Sequence, residues 1–171
     1  MRGLVLVLLT VLIAAVSYGE DAESDSLIHV VVSDFMSALQ AGEGSVASDY
    51  FSSSALDQVE VMLVSIKHNL GDDPEAVMRR LSGVGYAVEL DVAEDWETKE
   101  YLSATLSLPM MAARYAPYEL EVSSIEVDGR DALVDMIFRT TTGVEIPQQA
   151  VMVYEDDTWK VSSFMGITAF P

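Results

Sequence analysis

Apolar residues recur at helical spacing up to about Ala116-Pro117 and alternate with polar ones after it. Ile28, Val31, Val32, Phe35 and Leu39 form the first helical stripe; Asp25 or Ser26 can cap its start, and Gly42 suits its end. A short second helix is predicted over Ser45–Phe51, burying Val46, Tyr50 and Phe51. Ser52-Ser53-Ser54 offers a new N-cap, after which Leu56, Val59, Leu63, Ile66 and Leu70 recur at +3 and +4 until Gly71. Asp73-Pro74 is a cap followed by Pro at the first helical position, and Val77, Met78 and Leu81 form that helix's buried face. Residues 84–97 fit neither period. Thr98 can cap a helix carrying Tyr101, Leu102, Thr105 and Leu106, which Pro109 kinks or restarts.

The second pattern predicts four strands. Tyr118, Leu120 and Val122 alternate, then the apolar parity shifts across Ser123-Ser124 to Ile125 and Val127. A regular strand would turn one of these sets to the wrong face; a bulge at the serines restores both and bends the strand. Asp128-Gly129 is a hairpin signal, and Ala132, Val134, Met136 and Phe138 line one face of the next strand. Ile146, Ala150, Met152 and Tyr154 line the third, where Pro147 must lie at the start or at an edge. Asp156-Asp157 turns the chain into Trp159 and Val161, and Ser162-Ser163 mark a second parity shift before Phe164. Helices at 27–115 followed by an antiparallel sheet at 117–167 give an α+β fold: one domain over 27–171, with helices packed on a curved four-stranded sheet.

Residues 1–19 read as a signal peptide and not as part of that fold. Arg2 precedes an apolar run, Leu4–Val16, shorter than the roughly 20 residues a membrane-spanning helix needs, and small residues follow at Ser17 and Gly19. Cleavage is expected after Gly19, with Ser17 as the alternative, and an uncleaved N-terminal anchor would be the chain's sole link to a membrane. The expected location is periplasmic or extracellular. With no Cys there is no lipid-modified anchor, disulfide or thiol chemistry. Residues 20–26 form an acidic lead-in.

Loss of the leader leaves 8 basic against 28 acidic residues, a net charge of −20. Such a surface repels phosphate backbones and anionic headgroups, which argues against nucleic acid as a partner. A solvated acidic surface explains the charge; adaptation to salt and weak divalent-cation binding are the alternatives.

Two segments carry a family resemblance: Phe35 to Phe51 (FMSALQAGEGSVASDYF) and Val151 to Phe164 (VMVYEDDTWKVSSF), the latter a strand, an acidic turn and then Trp-Lys-Val. With the layout of helices before a bent sheet, the chain resembles the nuclear transport factor 2-like superfamily, and its middle, Pro74 to Pro109, resembles secreted bacterial members of unknown function. The resemblance implies a half-open cone. It implies little about activity, since this superfold hosts unrelated functions. Enzyme members similar to ketosteroid isomerase or scytalone dehydratase place Asp, His and Tyr inside the cone; others only bind or dimerise.

The residues offer few candidates for such chemistry. His29 and His68 lack a positioned partner. Asp34 and Asp49 lie on or beside early helices, where an Asp could act as base, with Tyr50, Tyr101, Tyr115 or Tyr154 donating to an oxyanion. Asp135 lies opposite the apolar row of its strand and is expected to pair with Arg139; without that pairing it would be an acid–base candidate. The weak catalytic candidates are therefore Asp34, Asp135 and Tyr154. Phe35, Met62, Met110, Met136, Phe138, Met152 and Trp159 could line an apolar ligand pocket, against the commoner use of Met as core filler. Asp72-Asp73 and Asp156-Asp157 are explained by a cap and a turn, and no phosphate loop, nucleophile elbow, zinc motif or calcium ladder is present, so neither metal nor cofactor is expected. Three functions follow: a non-catalytic domain binding a small apolar molecule or a protein; a lyase, isomerase or hydrolase using an Asp and a Tyr in the cone; and a homodimerising module of the cell envelope.

Overall fold

The computed structural model describes residues 24–164, so the leader, residues 20–23 and the expected sheet residues 165–167 lie outside the described residues. Helix α1 spans 24–41. Then come α2 (Gly44–Ser48), α3 (Ser53–Asp72), α4 (Pro74–Gly83), α5 (Leu90–Asp95), α6 (Thr98–Leu106) and α7 (Pro109–Tyr115). Strands β1 (Tyr118–Asp128), β2 (Asp131–Thr140), β3 (Glu145–Glu155) and β4 (Thr158–Phe164) follow. They form one antiparallel sheet in the order β1-β2-β3-β4. The fold is α+β, with the helices gathered before the sheet, as the pattern predicts.

Local chemistry sets most boundaries. The Ser52 hydroxyl accepts from the Ala55 N–H to open α3, and the Asp73 carboxylate accepts from the Ala76 N–H to open α4 ahead of Pro74. Pro109 restarts the helix as α7 rather than kinking α6. Four local expectations are corrected. Asp25 and Ser26 are already helical, so neither caps α1. Helix α2 begins at Gly44 and buries Gly44, Ala47 and Ser48, leaving Val46 43 % exposed, because it meets α6 through its small residues. The N-cap of α6 is Glu97, whose N–H is held by the Glu100 carboxylate at 2.9 Å, and not Thr98. The unassigned stretch 84–97 contains α5, and it is pinned by Tyr86 and Trp96, which pack on Tyr101 of α6.

Both expected strand bends are present. The β1–β2 register shifts between Val122 and Ser124, so Tyr118, Leu120, Val122, Ile125 and Val127 all face inward. The β3–β4 register shifts at Ser162, which puts Trp159, Val161 and Phe164 on the same side. Among the described residues β4 pairs with β3 only from Ala150 onward, so Pro147 has a paired strand, β2, on one side. Asp156 and Asp157 take positive φ (51° and 60°), the left-handed pair that a two-residue hairpin turn requires. The outer edge of β4 is covered by Tyr50–Ser52: the Val161 N–H donates to the Tyr50 carbonyl, and the Ser52 N–H to the Val161 carbonyl.

The concave face of this bent sheet closes over α1, and the two share one hydrophobic core. Phe35 of α1 packs edge-on against Phe164 (5.0 Å between centroids), Phe51 (5.4 Å) and Tyr50 (6.1 Å). The inner row of β2, Ala132, Val134, Met136 and Phe138, is buried throughout. A Gln40 side-chain amide near the end of α1 donates to the carbonyls of Tyr115 and Tyr118, tying helix to sheet.

Candidate functional site

A cone of this kind would bind or react in its interior, and that space is filled with side chains. Phe35, Leu39, Tyr115, Met136, Phe138, Met152 and Phe164 are each at most 2 % exposed and belong to one core cluster. Phe138 and Phe164 meet at 6.2 Å, and Tyr118 stacks on Phe138 at 5.5 Å.

Of the proposed ligand-lining residues, Phe35, Met136, Phe138, Met152 and Trp159 are therefore core members. Met62 is half-buried on α3, and Met110 is 57 % exposed on α7. None of the seven lines the three surface depressions described below.

The catalytic candidates lie apart from one another. Tyr154 is half-buried against Trp159 at the β3–β4 hairpin. Asp34 is exposed on α1. Asp135 points out of the convex face and does not pair with Arg139. Four residues along an extended strand is about 13 Å, so cross-strand neighbours some 5 Å away prevail. Gln149 donates to Asp135 at 2.9 Å and Ser124 at 2.8 Å, while Arg139 bonds Glu145 and Glu121. The Gln149 hydrogen bond first, then that from Ser124, holds the Asp135 carboxyl below its ordinary range. Its ionised form is thus favoured, the reverse of what an acid–base group poised near neutrality needs.

The fold builds two further clusters. Asp34 and Asp49 both flank Tyr50, whose phenol is pushed up by burial first and by these two charges next. Lys99 of α6 in turn pairs with Asp49, whose carbonyl accepts from Lys160 at 2.6 Å. Tyr86 hydroxyl bonds Thr105 at 2.6 Å, and burial raises its pKa. Asp34, Asp49 and Tyr50, all candidates in the sequence, are thus brought together, whereas the Lys99, Lys160 and Tyr86–Thr105 contacts join distant positions whose spacing carried no signal.

Tyr115 is the ionisable group that does point into the core. Its hydroxyl is buried and has no hydrogen-bond partner among the described residues, and burial raises its pKa. A buried unpaired hydroxyl costs about 1–3 kcal/mol. Tyr115→Phe keeps the ring and removes that cost, so it is expected to raise unfolding free energy by about 1 kcal/mol, read from the urea midpoint at unchanged slope. Unchanged or lower stability would show that the hydroxyl has a partner.

Three surface depressions lie among the described residues. An open one of about 790 Å³ lies between α2, α5 and α6; Asp49, Asp91, Asp95, Glu97 and Glu100 ring it, with Lys99 as the lone cation in its lining. A second, of about 400 Å³, runs between α1 and β1, with His29, Ser33, Ser37 and Gln40 along the helix and Tyr118, Leu120 and Val122 along the strand. A third, of about 330 Å³, lies on the β1–β2 hairpin beside Leu133 and Val151. Among the described residues no three His, Asp or Glu side chains converge as metal ligands. No described helix is long and apolar enough to cross a membrane.

These features define an α+β fold of helices packed on a bent four-stranded antiparallel sheet, the layout that the nuclear transport factor 2-like resemblance implies, but with side chains filling the half-open interior it also implies. No family model matches the chain, and no curated protein matches it. Among solved structures it is similar to that of a putative NTF2-like transpeptidase from Campylobacter jejuni. The two are 13 % identical at a TM-score of 0.34, over 53 % of this chain and 98 % of that one.

Proposed function

We propose that this is an exported, non-catalytic domain that works through its outer surface by binding a protein partner. One observation carries the reading: the concave side of the sheet, where related cones would hold a small molecule, is closed by Phe35, Phe138, Phe164 and the buried methionines. A pocket needs space as well as apolar walls. A reaction needs groups that converge, and the inward Tyr115 hydroxyl has no carboxylate within hydrogen-bonding reach among the described residues. Export rests on Arg2, the Leu4–Val16 run and the small residues after it.

The test is a panel of ester, lactone, hydroxy-ketone and enone substrates given to the purified chain. The expected result is no turnover above buffer. Turnover that disappears in Asp135→Asn or Asp34→Asn would overturn the reading. For export, the mass of the protein recovered from its native compartment is expected to correspond to a chain beginning at Glu20; retention of the leader would contradict cleavage.

A further inference from the structure

The two long edges of the sheet are treated differently. The β4 edge is covered by Tyr50–Ser52, whereas β1, an 11-residue strand, pairs only with β2 among the described residues. The Gln40 amide donates to the Tyr118 carbonyl, so that carbonyl points away from β2 toward α1. Residues of one parity in a strand direct both backbone groups to the same side. The N–H and C=O of Leu120 and Val122, before the bulge, therefore also face the α1–β1 groove. Opposite them stand the polar side chains His29, Ser33, Ser37 and Gln40 of α1. The inner side chains here are incompletely covered: Tyr118, Leu120 and Val122 are half-buried, while the matching row of β2 is buried.

We infer that this groove accepts an extended, cationic segment of a partner protein as a fifth strand on β1. A helix beside a free strand edge is a geometry for strand addition: the edge supplies main-chain hydrogen bonds, and alternate side chains supply selectivity. Charge selects the occupant. Neither α1 nor β1 contains Lys or Arg, and β1 carries Glu119, Glu121, Glu126 and Asp128 on its outer side, of which Glu121 is paired with Arg139 of β2. A second copy would bring the same acids against these, so like charges disfavour pairing of two β1 edges. The fitting segment alternates apolar residues, which cover Tyr118, Leu120 and Val122 from within, with Lys or Arg, which lie beside Glu119 outside. This inference rests on the surface-binding reading above and names its site.

The test is a fluorescence-anisotropy titration of the mature chain with a labelled eight-residue peptide of alternating Val and Lys. Two controls are the Val–Glu counterpart and a Val–Lys peptide N-methylated at alternate amides. The Val–Lys peptide is expected to bind. Backbone methylation is expected to weaken it at least about tenfold, because two or more main-chain bonds are lost. Glu119→Lys is expected to weaken it similarly, and the Val–Glu peptide is expected not to bind. At saturation the Leu120 and Val122 amides are expected to exchange at least about tenfold more slowly. Binding indifferent to methylation, or protection elsewhere, would overturn the groove while leaving a surface-binding domain in place. No binding by the Val–Lys peptide would also overturn the groove. A concentration-dependent dimer that slows exchange of the Leu120 and Val122 amides in the absence of peptide would overturn it in favour of a second copy. The surface-binding reading itself fails on a different readout, turnover or interior uptake of an apolar probe.

Discussion

Phe35→Ala is expected to destabilise the domain by about 3–5 kcal/mol, the largest effect of any single change considered. Phe35 has no exposed surface and meets three other rings, Tyr50, Phe51 and Phe164, at 5.0 to 6.1 Å. It joins α1 to the segment after α2 and to the last described strand, so its loss removes both buried apolar area and edge-to-face contacts. The surrounding rings belong to different elements and cannot all collapse into the gap. Urea unfolding by far-UV circular dichroism is the measurement. A loss under about 1 kcal/mol would mean that Phe35 lines space already open, as a ligand pocket requires.

Gly44→Ala is expected to cost about 2–3 kcal/mol, although it adds one methyl group. Gly44 opens α2 against α6, where an added Cβ would lie 2.5 Å from the Ser107 backbone N and closer still to the Ser103 carbonyl oxygen. Both are backbone atoms at the C-terminal end of α6, so relief requires the helices to separate rather than a side chain to turn. Gly71 and Gly83 have open space where the Cβ would be, which makes Gly71→Ala the control, expected within about 0.5 kcal/mol of the parent. Thermal and urea unfolding of the three proteins together check the contrast. Equal behaviour of the Gly44 and Gly71 variants would refute the close α2–α6 approach.

Much of this architecture is legible in the residues because it is set locally. Serines at both parity breaks mark both bulges, since alternation cannot change phase in a regular strand. Ser52 and Asp73 mark helix starts because a short polar side chain there binds a nearby N–H. What depends on contacts between distant elements is not legible. Gly44 gives no local sign that α6 lies against it, and Val46 looks buried by type yet faces solvent. Asp135 and Arg139 share a face, but cross-strand partners are nearer than i+4 neighbours. Apolar pattern equally fails to tell a lined cavity from a filled core. The same Phe, Met and Trp residues serve either, and only the facing elements decide it.

The acidic charge of the chain has a consistent place in this picture. With acid spread along an edge strand that no described residue pairs on its outer side, the molecule resists joining its own copies through that edge and favours cationic partners. Both effects weaken as salt rises past the range where the Debye length is about 8 Å, so peptide affinity is best measured across a salt series.

A titration of the native chain with Nile red, a neutral apolar dye, addresses the solid interior most directly. No saturable rise in emission, with Trp fluorescence unchanged, is the result predicted for a core closed by Phe35, Phe138 and Phe164. Stoichiometric, saturable uptake that quenches the buried Trp159 would contradict it.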